Sequence, residues 1–299
     1  MLNPPIVQPG AVLRAKMAEG TVVLPGVFNA ISAISAAKAG AQGLYLSGAG
    51  ITNASLGVPD IALASISEFA QTAAAITAVT QLPVISDADT GFGGALNVRR
   101  TVIEMERAGL AGIHLEDQVS PKRCGHLDGK RVIETAEMTA KLRAALSSKR
   151  DPTFLIIART DARGAEGLPR ALERAKAYAD AGAEAIFPEG LESEAEFEAF
   201  REAVEVPLLA NMTEFGKTPI ISASRFEDLG YSLVIFPMTA FRVMLRALDE
   251  TYAELVAKGS QAGIMNSMRT RAELYDHLDY AEYERLDRIW AAGSQPPSM

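Results

Sequence analysis

Short runs of consecutive apolar, often β-branched residues alternate with longer stretches in which apolar residues recur every three or four positions, from the N-terminus to about residue 258. The runs are VVLPGVF (22–28), GLYLSG (43–48), LPVISDAD (82–89), GIHLED (112–117), FLIIARTD (154–161), AIFPE (185–189), VPLLANMT (206–213) and SLVIFP (232–237). Continuous rather than alternating apolar character marks strands covered on both faces, as parallel strands are. Between them, LNVRRTVIEMERAGL, TAEMTAKLRAAL and LPRALERAKAYADAG carry the helical period, with glycine close to some of their ends. Eight strand-and-helix units in one chain predict a (β/α)8 TIM barrel over residues 1–258. A doubly wound sheet is the competing architecture, but no glycine-rich phosphate fingerprint follows the first strand and no composition break divides the chain. Residues 259–299 exceed the barrel and include MRTRAELYDHLDYAEYERLDRIW, a charged helical pattern with aromatic residues. They read as a C-terminal helical extension that packs on a neighbouring subunit or closes the site.

A barrel of this kind places its catalytic groups at the carboxyl ends of its strands. Here those ends carry Ser47 and Gly48, Asp87 and Asp89, Glu116 and Asp117, Arg159 and Asp161, Glu189, Asn211 and Thr213, while the strand interiors are apolar. A shared site explains a set this systematic better than chance loop polarity. Asp87 and Asp89 are two apart on a strand, so both carboxylates can face one point, and a hard divalent cation relieves their repulsion through oxygen ligands. The plainer role for such a pair is capping the next helix and bonding a loop amide; Glu116 at the neighbouring strand end tips the balance toward metal. Arg159, Arg242 and Arg271 are candidate forked donors for a polycarboxylate.

Composition narrows the partners. A net charge of −8 argues against nucleic acid or anionic membrane, both of which select basic surfaces. One cysteine in 299 residues excludes an intramolecular disulfide and fits a reducing compartment. The N-terminus lacks the pattern of a secretory signal and no apolar run has membrane-spanning length, so a cytoplasmic protein is expected.

That cysteine, Cys124, lies in PKRCGHLDGK (121–130) among Lys122, Arg123 and His126. A lone cysteine is commonly a small buried hydrophobe; this one sits in a glycine-flanked loop beside nitrogen bases. A thiol of pKa near 8.5 is only about 3% thiolate at pH 7, and a drop of about one unit raises that to roughly a quarter. Such a thiol suits proton transfer. His114, inside the fourth strand, is as much a core or supporting residue as a catalytic one, and His277 is read as surface. Neither fits a zinc spacing.

KRCGH at residues 122–126, preceded by HLEDQ at 114–118, resembles the signature of the isocitrate lyase and phosphoenolpyruvate mutase superfamily. YLSGAG, SLGVPD, DADTGFG, ARTDA, FPE, ANMTEFG, FPMTAFR and MRTRAELYDHLDYAEYE extend the resemblance over roughly residues 20–285, and resemble the 2-methylisocitrate lyase branch in particular. The resemblance implies a homotetramer in which the last barrel helix is exchanged between subunits. It implies magnesium, and cleavage of (2S,3R)-2-methylisocitrate to pyruvate and succinate in the methylcitrate cycle of propionate breakdown. By position, Asp87 and Asp89 would hold magnesium, with Asp60, Glu116 and Lys122 in its water-mediated surroundings. Ser47, Gly48, Ala49 and Arg159 would bind the pyruvate part, and Gly125, His126, Glu189, Asn211, Met212, Thr213, Arg242 and Arg271 would complete the pocket. Ala49 stands where many relatives have glycine, a change that a backbone contact survives. Cys124 would protonate the succinate carbanion, and Tyr45 is a candidate for the hydroxyl proton. Oxaloacetate hydrolases and dimethylmalate lyases are the nearest rivals; Pro237 and the C-terminal block argue against them. A non-catalytic barrel scaffold would show gaps in this set, and the sequence has none.

Overall fold

The computed structural model describes residues 8–123, 125 and 129–293. Cys124 and His126 therefore lie outside the described residues. The eight strands fall where the apolar runs do: β1 (Val22–Val27), β2 (Leu44–Leu46), β3 (Val84–Asp87), β4 (Gly112–Glu116), β5 (Leu155–Thr160), β6 (Ala185–Pro188), β7 (Leu209–Asn211) and β8 (Leu233–Phe236). All pairings are parallel, in the order β6-β5-β4-β3-β2-β1-β8-β7. A parallel bridge between Ile186 and Leu208, with Ile186 N–H donating to the Pro207 carbonyl at 2.9 Å, joins the two ends of that order. The result is the (β/α)8 barrel.

Alternation along each strand sorts the core in two. Val22, Leu24, Tyr45, Ile85, Leu155, Ile157, Ala185, Phe187, Leu209, Leu233 and Ile235 fill the barrel interior, and Leu13 of the helix Pro9–Glu19 joins them. The intervening residues, among them Leu46, Val84, Ile113, Leu115, Ile156, Ala158, Ile186 and Ala210, pack outward with the helices. Apart from β1, where Val23 is exposed, the strands are thus buried on both faces, which is why their runs are continuously apolar.

The chain divides into two compact units, the barrel up to Phe241 and a smaller unit from Arg242 onward. The second unit comprises the helix Thr239–Lys258 from Arg242 on, a three-ten segment Ala262–Ser267, and the helices Arg271–His277 and Tyr280–Ala291. Thr270 and Glu273 form a reciprocal cap at the start of the third of these. Val243, Leu248, Tyr252, Val256 and Trp290 are exposed. Among the described residues no helix is long and apolar enough to cross a membrane.

Candidate active site

The same alternation that fills the barrel carries polar groups to its mouth. Two residues beyond Ile85, Ile157 and Leu209 along their strands come Asp87, Arg159 and Asn211; His114 and Glu116 share one side of β4, and Ser47 comes two residues after Tyr45. Every one of Ser47, Asp87, His114, Glu116, Arg159 and Glu189 is buried.

β3 ends at Asp87, and the chain then turns left-handed, with φ of 45° at Asp89. The simple strand alternation expected for this pair therefore stops one residue short. Local bonds fix the turn instead: Asp89 N–H donates to Asp87 Oδ1 at 2.8 Å, and Glu116 N–H donates to the Asp89 carbonyl at 2.9 Å. Gly48 makes room for this carboxylate, since a Cβ there would lie 2.7 Å from Asp87 Oδ2. Lys122 closes the acidic group, with Nζ 2.6 Å from Asp60 Oδ2 and 3.1 Å from Asp89 Oδ1.

The charges strain one another. Burial pushes Asp89 up to about 7, with Lys122 pulling it down and Asp87 pushing it further up. Burial acts on Asp87 in the same sense, but His114, Lys122 and Arg159 outweigh it and hold that carboxyl below its ordinary value. Burial likewise raises Glu116 well above the usual range, against the pull of Arg159. Lys122, despite its burial, is held protonated by Asp89, Asp87 and Glu116. Asp60 Oδ1 and both Glu116 oxygens are buried without a hydrogen-bond partner among the described residues. Oxygen-only donors, excess negative charge and orphaned carboxylate oxygens fit a hydrated magnesium ion, which usually takes one or two carboxylates and keeps several waters. Among the described residues no group of three or more acidic, histidine or cysteine side chains forms a fuller metal cage.

Next to this group, Tyr45 Oη lies 2.8 Å from His114 Nε2, and His114 Nδ1 is 3.7 Å from Asp87 Oδ1. Burial lowers His114 to about 4, although Asp87 pulls upward. Burial and Asp87 raise Tyr45 well above its ordinary value. At neutral pH the pair is a neutral phenol hydrogen-bonded to a neutral imidazole, and the imidazole tautomer sets which of the two donates.

Arg159 is oriented by a fork to Asp161, Nε to Oδ2 at 2.9 Å and Nη2 to Oδ1 at 3.2 Å. It also lies 3.4 Å from Glu116 Oε2 and 3.4 Å from Glu189 Oε2, with its guanidinium 5.1 Å above the Phe187 ring. Asn211 Nδ2 donates to Glu189 Oε2 at 3.0 Å. Gly125 packs into this cluster: a Cβ there would fall 2.5 Å from Glu189 Cγ and 2.6 Å from Arg159 Nη2.

Of the residues singled out from sequence, Gly48, Tyr45, Asp60, Asp87, Asp89, Glu116, Lys122, Gly125, Arg159, Glu189 and Asn211 are thus linked through these contacts, and Ser47, buried beside Gly48, accepts from the Gly50 N–H at 3.3 Å. Ala49 follows Gly48 in the short helix Gly48–Ile51, Met212 is buried beside β7, and Thr213 follows it. Arg242 and Arg271 belong to the second unit, on the helices Thr239–Lys258 and Arg271–His277.

Sequence reasoning missed a supporting layer on the outward side of β4 and β5. Asp117 accepts from Thr160 Oγ1, Tyr178 Oη and the Asp161 N–H, each at 2.8 Å. Arg174 donates to Tyr178 Oη at 3.1 Å and to Glu166, and stands 3.6 Å from Asp117 Oδ2. Burial, with Asp161 adding to it, pushes Asp117 up to about 6. Asp161 and Asp117 were visible as polar strand ends, and Asp161 is forked by Arg159 two residues before it, but the partners of Asp117 come from other elements and no local signal names them. Lys130 is the other omission; it lies beyond the cysteine in the same loop, as the last residue of DGK.

A family model described as phosphoenolpyruvate phosphomutase matches residues 13–256. Over 284 residues the chain is 51% identical to the 2-methylisocitrate lyase of Aeropyrum pernix, covering 95% of this chain and 91% of that one. A structure of oxaloacetate acetylhydrolase in complex with the inhibitor 3,3-difluorooxalacetate matches with a TM-score of 0.90 at 34% identity, covering 98% of this chain and 99% of the other. Phosphonopyruvate hydrolase in complex with oxalate and magnesium matches with a TM-score of 0.86 at 27% identity, covering 95% and 100%.

Proposed function

The chain belongs to the phosphoenolpyruvate phosphomutase family, and from that membership we infer that it is a carbon–carbon lyase cleaving (2S,3R)-2-methylisocitrate to pyruvate and succinate. The observation that carries this reading is the 51% identity to a 2-methylisocitrate lyase over nearly the whole chain, against 34% to the oxaloacetate acetylhydrolase of almost the same fold. The reaction belongs to the methylcitrate cycle of propionate breakdown, in the cytoplasm. The apolar side chains exposed on the second unit, Val243 at 68% and Val256 at 87% among them, support a homotetramer in which this unit packs on a partner subunit.

Asp87 and Asp89 would hold magnesium, with Asp60, Glu116 and Lys122 around its waters; when bound, the ion supplies Lewis-acid polarisation that makes the substrate hydroxyl easier to deprotonate. Arg159, presented flat by Asp161, suits the carboxylate of the pyruvate half, with Ser47, Gly48 and Ala49 beside it. With His114 in its Nδ1–H tautomer, Tyr45 would take the hydroxyl proton while passing its own to the Nε2 that faces it. Loss of that proton lets the hydroxyl oxygen become the pyruvate carbonyl as the carbon–carbon bond breaks. The bonding electrons move into the succinate half as an aci-carboxylate, which Asn211 and Thr213 would stabilise; the resemblance adds Arg242 to that role and His126, Met212, Glu189 and Arg271 to the substrate pocket. Cys124, as a thiol, gives that carbanion its proton and completes succinate. Incubation with 2-methylisocitrate and magnesium is expected to yield pyruvate and succinate in equal amounts, and a chelator to stop the reaction. Turnover that ignores chelation would remove magnesium from this account.

A further inference from the structure

The backbone on both sides of position 124 is tied down by buried side chains that the reaction does not otherwise use. On the preceding side, Gln118, 1% exposed, grips Arg123 twice: Arg123 N–H donates to Oε1 at 3.0 Å, and Nε2 donates to the Arg123 carbonyl at 2.8 Å. On the following side, the Lys130 ammonium donates to the Gly125 carbonyl and to Asp161 Oδ1, the latter at 2.9 Å, with the lysine side chain only 4% exposed. Asp161 is the carboxylate that forks Arg159. Lys130 therefore joins the carbonyl of the residue after the cysteine to the counter-ion of the arginine.

The base of the loop is equally fixed. Gln118 and Val132 form an antiparallel bridge, Val119 N–H donates to the Arg131 carbonyl at 2.8 Å, and Ile133 N–H donates to the Asp117 carbonyl at 2.8 Å. Gly129, at φ 78°, turns the chain so that Lys130 can point back. A buried ammonium costs desolvation unless paired, so the double contact to a carbonyl and a carboxylate is a specific arrangement rather than a solvated surface lysine.

We propose that Gln118 and Lys130 are positioning residues for the lyase reaction, holding Arg123 and Gly125, the residues before and after Cys124, in register with the Arg159–Asp161 pair. The proposal rests on the lyase reading given above. The work of these two residues is to set where the single thiol can deliver its proton, and a small misplacement of such a group costs about a hundredfold in rate.

The test compares Lys130→Met, Lys130→Arg and Gln118→Leu with the wild type, after circular dichroism and thermal melting confirm folding. Both Lys130→Met and Gln118→Leu are expected to lower kcat by about tenfold or more while KM changes by less than about threefold, and Lys130→Arg to recover a substantial part of kcat. Iodoacetamide alkylation of the only thiol, followed without substrate, is expected to change in rate in both damaged variants. If Lys130→Met does not fold, Lys130→Gln takes its place. Retention of kcat within about twofold together with an unchanged alkylation rate would overturn the proposal. A wild type that does not cleave 2-methylisocitrate would instead refute the lyase reading, and the alkylation rates, which need no turnover, would still decide whether these residues position the thiol.

Discussion

The Tyr45 hydroxyl sits 2.8 Å from His114 Nε2, so a buried phenol at the barrel mouth has a proton acceptor within hydrogen-bond reach. Burial keeps His114 neutral, so in its Nδ1–H tautomer the Nε2 lone pair faces the phenol and would hold a proton only transiently. Tyr45→Phe removes the relay while keeping the ring that fills the barrel interior. It should lower kcat by about 10² or more, with KM little changed and melting temperature retained. Steady-state kinetics with 2-methylisocitrate check this; an unaltered kcat would take Tyr45 out of the proton path.

His114 also links folding to pH. Its folded pKa of about 4 lies below an unfolded value near 6.5, so the unfolded chain binds the extra proton between those values. The stability it contributes is complete above about pH 6.5 and is lost as pH falls toward 4, amounting to about 2 kcal/mol between pH 7 and pH 5. Urea unfolding of metal-free protein at both pH values measures the drop. His114→Asn should lose that much less on acidification; equal drops in both proteins would contradict the assignment.

How far these features could be read in advance differs by residue. The eight strands were legible because burial on both faces makes each run apolar throughout, and Asp87, Glu116 and Arg159 were legible because they end such runs. Asp89 was legible as a partner of Asp87, but not its left-handed turn, which depends on the backbone of Glu116 from the next strand. His114 stayed ambiguous, since its role is defined by Tyr45 and Asp87, each on another strand. Asp117 and Lys130 act through Thr160, Tyr178 and Asp161, brought close only by the closed barrel and the loop base, and nothing in their neighbours in sequence identifies those partners.

Gly48 is predicted to be sensitive through Asp87 rather than through the backbone. In Gly48→Ala the new Cβ would press on Asp87 Oδ2 at 2.7 Å, so the carboxylate must move. The magnesium concentration for half-maximal activity should rise about tenfold, with a loss of stability of about 1–3 kcal/mol. Activity titrated against magnesium decides it, and an unshifted midpoint would show that Asp87 does not hold the ion.

The layer behind the site should matter for stability. Tyr178→Phe deletes one of the donors to the buried Asp117 carboxylate and should cost about 1–3 kcal/mol in denaturant unfolding at pH 7, where Asp117 is ionised. The cost should shrink as pH falls below about 6, because a protonated Asp117 has less need of the donor. A cost that is independent of pH would mean that the hydroxyl serves Arg174 alone.

Cys124→Ala should abolish cleavage while leaving folding and oligomeric state intact, since the thiol is the proposed source of the carbanion's proton. Size-exclusion chromatography and circular dichroism establish the fold, and pyruvate release establishes the loss. Turnover retained at wild-type level would remove the thiol from the mechanism.

The most direct test of the account is kcat/KM for pyruvate release from 2-methylisocitrate with magnesium, measured beside isocitrate and 2,3-dimethylmalate, and beside oxalate release from oxaloacetate. The account predicts that 2-methylisocitrate is the best substrate and that chelation abolishes its cleavage. No cleavage of 2-methylisocitrate alongside clear turnover of another of these compounds would contradict it.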